Sequence, residues 1–169
     1  LNGSYAAIRS GDPAYAVADL VGGPYEKFSS RPEWESDKSA MFEFLMKCDE
    51  EDHIMCLGTP GVDTSSYAGG GKGNADARST AEKYRDVGLC SGRAFSLIRV
   101  KGSHGNNLCM IRNPWGNEVE WNGDWSDDSS LWTQAIKDEV GFYKADDGTF
   151  WMCWDDVCKW FTAGSVTYA

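Results

Sequence analysis

The sequence predicts one domain that mixes helices with antiparallel strands. Three observations carry this reading. A chain of 169 residues is the size of one ordinary domain, and its 41% hydrophobic content, with eight Trp, seven Tyr and seven Phe, suffices for a core. Between Pro32 and Lys47 apolar residues recur at helical spacing. β-rich segments from Arg93 to Lys101 and from Leu108 to Asn113, separated by a turn over Gly102 to Asn107, read as a β-hairpin.

Taken in order, residues 1 to 22 read as a short helical piece with Tyr5, Ile8, Tyr15, Val17 and Leu20 as its apolar positions. Gly22-Gly23-Pro24 closes it, because glycine frees the backbone and proline breaks helix, and so marks a hinge or boundary. The second helix, Pro32 to Lys47, buries Trp34, Met41, Phe42, Leu45 and Met46, with Ser36 or Asp37 as candidate caps. Ile54 to Leu57 is a buried strand, and Gly58 to Thr80 a long loop dense in Gly, Ser, Thr and Asp. Pro114 ends the second hairpin strand, since proline cannot donate to a ladder. Beyond a Trp-rich loop, Trp132 to Glu139 reads as helix, Gly148 to Cys153 as strand, Trp154 to Phe161 as helix and Ser165 to Tyr168 as a last strand.

Composition excludes several functions. A formal charge of −10 disfavours nucleic-acid and anionic-membrane surfaces, which need a basic patch, while leaving cation binding open. No apolar run approaches transmembrane length, and Leu1-Asn2-Gly3-Ser4-Tyr5 has neither part of a signal peptide. The chain starts without Met and reads as a piece of something longer. Gly69-Gly70-Gly71-Lys72-Gly73 fails as a phosphate loop, because Gly73 stands where Ser or Thr should hold magnesium. The six cysteines form no Cys-x-x-Cys pair and only two histidines could join them, which argues against zinc; they read as reduced thiols in a cytosolic protein.

The most informative stretch is Ile111-Arg112-Asn113-Pro114-Trp115-Gly116, running on into Glu118-Val119-Glu120-Trp121 and Gly123-Asp124-Trp125-Ser126-Asp127. It resembles the block around the catalytic asparagine of calpains, the calcium-dependent cysteine proteases of the papain clan. Some 20 residues upstream, where that family carries its histidine in Gly-His-Ala-Tyr-Ser, this chain reads Gly92-Arg93-Ala94-Phe95-Ser96. Asp147-Gly148-Thr149-Phe150-Trp151-Met152 resembles the family's Asp-Gly-Glu-Phe-Trp-Met strand. The resemblance implies an α+β fold, with antiparallel sheets in a distorted barrel or sandwich flanked by helices. It also implies that residues 1–23 are the tail of the first protease subdomain and 24–169 the second.

A papain-type site needs a thiolate, a histidine that activates it and an Asn or Asp that orients the imidazole. The resemblance puts Asn113 at the last of these positions, Arg93 at that of the histidine and Trp115 beside the cleft. Arginine stays protonated and cannot take a proton from a thiol. His104 sits in the hairpin turn, about 30 Å away at roughly 3.3 Å per residue, and His53 has no partner signature. None of the six cysteines lies in the family's Gly-Asp-Cys-Trp context; Cys56 and Cys109, flanked by aliphatics, read as buried thiols with raised pKa.

The family also binds calcium in this subdomain. Carried over, the ligands are Glu120, Asp127 and Asp147, with a backbone oxygen near Ala145; hard oxygens suit that ion. Thr149 stands where a glutamate is expected, and Asn117 is inserted in the loop, both of which weaken the site. Of the tryptophans in this region, Trp115 is expected to be partly exposed and Trp121, Trp125 and Trp132 to pack. The leading expectation is a non-catalytic calpain-like subdomain of a cytoplasmic protein, peripheral to membrane or cytoskeleton at most. Regulation, scaffolding or weak calcium sensing is its role, and its partners are the remaining calpain-like subdomain and other proteins. The rivals are a half-site of an active calcium-dependent endopeptidase completed by upstream residues, and a calcium- or membrane-dependent protein-binding module.

Overall fold

The structure, a computed structural model, describes residues 11–61, 77–116 and 119–169. The early positions Tyr5 and Ile8, the run Gly69 to Gly73 and Asn117 lie outside the described residues. The elements are α1 (Pro13–Val21), β1 (Tyr25–Glu26), a single 3-10 turn (Phe28–Ser30), α2 (Glu33–Ser36), α3 (Lys38–Glu50), β2 (Ile54–Gly58) and α4 (Ala77–Asp86). They continue with β3 (Ala94–Ser103), β4 (Asn106–Arg112), α5 (Gln134–Val140), β5 (Thr149–Cys153), α6 (Trp154–Trp160) and β6 (Ala163–Thr167).

Local chemistry sets the helix ends. Asp12 caps α1 by accepting from Ala14 N at 2.9 Å, with Pro13 in the first turn, and Gly22 ends the helix at φ 72°. Asp37, rather than Ser36, caps α3 by accepting from Ala40 N at 3.0 Å. It divides the single expected helix into α2 and α3. Met41, Phe42, Leu45 and Cys48 make the buried face of α3. Helix α4 falls partly in the stretch read as loop. Its sequence is mostly polar, and Tyr84 anchors it, donating to Trp160 O at 2.6 Å and meeting the Trp160 ring edge-on at 5.1 Å.

The α+β class holds, and among the described residues the strands form one open antiparallel sheet rather than a closed barrel or two stacked sheets. Strand order is β1-β6-β2-β3-β4-β5. The late strand β6 lies between β1 and β2, with Cys56 opposite Ser165 and Tyr25 opposite Thr167. Strand β3 extends to Ser103, so the turn tightens from the expected Gly102–Asn107 to His104-Gly105, at φ 48° and 79°. Positive φ at both central residues matches the right-handed twist of the two strands.

Alternate residues of the central strands feed two cores. Phe95, Leu97, Ile111, Phe150 and Met152 join Met41, Phe42 and Leu45 of α3 and Trp154 and Val157 of α6. Leu108, Met110 and Trp151 point the other way, to Ile136 and Val140 of α5 and to Trp125. Burial on both faces explains why Leu108-Cys109-Met110-Ile111 is continuously apolar. Among the described residues no helix is long and apolar enough to cross a membrane.

Candidate active site

The hairpin brings Arg93 and Asn113 to one end. Ser96 pairs with Arg112, so Arg93 precedes the paired part of β3 and Asn113 follows β4. Thr59, just past β2, clasps the first of these positions through main chain alone. Its N–H donates to Arg93 O at 3.0 Å, its Oγ1 accepts from Arg93 N at 3.1 Å, and the same hydroxyl donates to Cys90 O at 2.6 Å. Pro60 O accepts from Gly92 N at 2.8 Å.

The asparagine sits in a turn that its own sequence dictates. Asn113 O accepts from Gly116 N at 3.1 Å, with Pro114 at the second position, where its fixed φ suits a turn. Asn113 Oδ1 accepts from Trp115 N at 3.1 Å, which also fixes which end of the carboxamide is oxygen. Asn113 N donates to Gly148 O at 2.8 Å. Gly148 is at φ +78°, and a Cβ there would stand 2.8 Å from Asn113 O and 2.9 Å from Gly116 O, so only glycine fits. Asn113 is 1% exposed, and its Nδ2 has no acceptor.

Arg93 is exposed and lays its guanidinium over the Trp115 ring, with Cζ 4.8 Å from the centroid. Trp115 is 61% exposed, whereas Trp121 and Trp125 are buried and Trp132 half-buried. Both imidazoles have partners elsewhere. His53 Nε2 lies 3.1 Å from Glu51 Oε2 with its ring against Tyr168, and His104 Nδ1 lies 3.0 Å from Glu139 Oε2. Burial pushes the thiols of Cys48, Cys56, Cys153 and Cys158 up to about 11 and raises that of Cys109 well above its ordinary value, so these sulfurs carry protons at neutral pH. All six cysteines are unpaired.

The acidic loop forms a second locus. Its indoles hold it: Trp121 Nε1 donates to Asp124 O at 2.8 Å, and Trp132 Nε1 to Ser126 O at 2.9 Å. Glu120, Asp127, Asp128, Lys144, Ala145 and Asp146 line a hollow of about 340 Å³. Burial, then the charge of Asp127 and a hydrogen bond to it, pushes the Glu120 carboxyl up to about 7. Burial also raises Asp127, against the opposing effect of hydrogen bonding from Ala145 N–H and the Glu120 carboxyl. Asp128 pairs with Lys144. Asp147 accepts from Thr149 N at 2.9 Å and is absent from the lining, where Asp146 stands. Among the described residues no three such side chains converge at metal-ligating spacing.

Sequence reading missed three supports of these loci: Thr59, Asp146 and Gly88. Only the Gly at position 88 left a signal, as a break after a polar run. At φ +79° it lies so close to the acidic loop that a Cβ would stand 1.8 Å from Glu120 O.

One open antiparallel sheet thus carries the asparagine turn and Arg93 to the same end of a hairpin. Comparison with known proteins gives the family: the calpain family cysteine protease profile matches residues 1–167, and the chain belongs to that family. It is similar to the calpain-type cysteine protease ADL1 of rice, Oryza sativa subsp. japonica, at 33% identity over 92% of this chain and 7% of the relative. Calpain clp-4 of Caenorhabditis elegans is 34% identical over 98% of this chain and 22% of its own length. Mouse calpain-9 is 33% identical over 92% and 21%. The chain therefore spans less than a quarter of these relatives.

Proposed function

We propose that this chain is the second subdomain of a calpain protease core, residues 24–169 with the tail 1–23 of the first, and that it serves regulation or scaffolding without catalysis. The observation that carries this reading is Arg93: its main chain is clasped at the family's base position, and its side chain is a permanent cation stacked on Trp115. The partners of His53 and His104 support it, since neither ring is available to Asn113, and so do the protonated thiols. The partner implied is the remaining protease subdomain.

The test is hydrolysis of a fluorogenic peptide in calcium. The chain and its Arg93→His variant should both stay at background, because neither supplies a thiolate. Mixed with the nucleophile-bearing subdomain of an active calpain, the Arg93→His chain should turn over roughly a thousandfold faster than the unaltered one. Equal turnover by the unaltered chain in that mixture would overturn the reading.

We further infer that the acidic loop takes calcium weakly. Glu120, Asp127 and Asp147 would hold the ion, with Asp146 and the main chain near Ala145 at hand; burial and the neighbouring charge raise the Glu120 carboxyl, a cost that a cation would relieve. Thr149 brings no carboxylate, and one oxygen of Asp147 already accepts from the Thr149 N–H, so the donor set is thin. Calorimetry should find affinity weaker than about 10⁻⁵ M, lost in Asp127→Ala. Submicromolar binding would show that the missing carboxylate does not matter.

A further inference from the structure

We propose that Asn122-Gly123, in the acidic loop, is a site of spontaneous deamidation, and that the docking of this loop on α4 controls how fast the reaction runs. The site stands apart from the reading of Arg93. Three observations converge on it.

First, Asn122 is exposed to water and is one of two asparagines in the chain that precede a glycine, so no Cβ crowds the approach of the next amide to its carboxamide. The fold itself demands that glycine, because a Cβ at position 123 would stand 2.3 Å from the Trp121 ring. Second, the Gly123 N–H has no acceptor among the described residues, while Gly123 O accepts from Ser126 N at 3.1 Å. The turn thus leaves the attacking nitrogen untied. Third, the carboxamide is tethered to a helix end. Asn122 Nδ2 donates to Asp86 O at 2.9 Å, and Asn122 N donates to Val87 O at 3.1 Å. The amine cannot depart while its bond to Asp86 stands, so the reaction waits for the loop to lift from α4.

The chemistry needs only water. Base takes the Gly123 amide proton, the nitrogen closes on Asn122 Cγ to form a cyclic imide, and Nδ2 leaves as ammonia with a proton from solvent. Water then opens the ring. Opening at the side-chain carbonyl gives aspartate, and opening at the main-chain carbonyl gives isoaspartate, which routes the backbone through the side-chain methylene. Either product replaces a donor with a carboxylate facing Asp86 O, at the negative end of the α4 dipole. It also adds charge to a hollow already lined by Glu120, Asp127, Asp128 and Asp146. Modification therefore loosens the docking that had restrained it, in one direction only.

Mass spectrometry of the whole chain tests this. The protein is incubated with chelator in mildly alkaline buffer made with heavy-oxygen water, either folded or in urea, and the peptide spanning Asn122 is followed over time. Heavy oxygen enters the carboxyl only where an amide has been hydrolysed. The folded chain should take up label at Asn122 roughly ten- to a hundredfold more slowly than the unfolded one, as two hydrogen bonds to the end of α4 dictate. Asn122→Gln should take up none on that timescale. Asn122→Asp should melt at a lower temperature than Asn122→Ala, because both lose the donor and only the first adds charge; at an exposed position both variants keep the fold. Three results would overturn the proposal: no label in the folded chain after about a hundred half-lives of the unfolded reaction, equal rates in the two states, or an Asp variant as stable as the Ala variant.

Discussion

Glu120 titrates near neutrality in the folded chain. Its ordinary value is 4.5, and burial, with the charge and hydrogen bond of Asp127, lifts it to about 7. Between these values the folded state holds a proton that the unfolded chain has released. The contribution of Glu120 to stability is therefore fully present below the lower value and is lost as pH rises through the upper one. In chelator, the melting temperature should drop from about pH 4.5 to about 7, and Glu120→Gln should flatten that part of the profile. An unchanged slope in the variant would show that another group carries it. Residue types alone announced an acidic locus, and Glu120 and Asp127 do face each other. Nothing in the sequence showed that Asp147 accepts from the Thr149 N–H or that Asp146 lines the hollow beside Glu120 and Asp127. A difference of one position along a loop is settled by main-chain hydrogen bonds, not by residue identity.

Among elements, α3 and the hairpin were legible because their periodicities are strong: Met41, Phe42, Leu45 and Cys48 fall on one helical face, and a tight turn separates two β-rich runs. Helix α4 was not, because it is short and mostly polar and begins inside a stretch dense in Gly, Ser, Thr and Asp that reads as loop. Its end nonetheless supports the acidic loop. Gly88 follows α4 at φ +79° against Glu120 O, and Asn122 N donates to Val87 O at 3.1 Å. Gly88→Ala should cost roughly 1–3 kcal/mol, seen as a melting temperature lower by several degrees, and should weaken calcium binding with it. A lower melting temperature with calcium binding intact would uncouple helix from loop.

For the whole molecule, the class was legible and the sheet order was not. Strand β6 inserts between β1 and β2 from the far end of the described chain, a pairing that leaves no local signal in either segment. The larger core ties these distant parts together: Phe95 meets Phe161 edge-on at 5.2 Å and Phe150 at 6.4 Å. Phe95→Ala should cost about 3–5 kcal/mol. Against a total near 5–15 kcal/mol, that shift in a urea midpoint is large, and a loss under about 1 kcal/mol would mean the rings repack freely.

The hydroxyl and amide of Thr59 fasten position 93 by its peptide groups and ignore what hangs from it. Socket and plug are therefore independent. Different side chains can therefore stand at this position while the hydrogen bonds that hold its backbone stay the same.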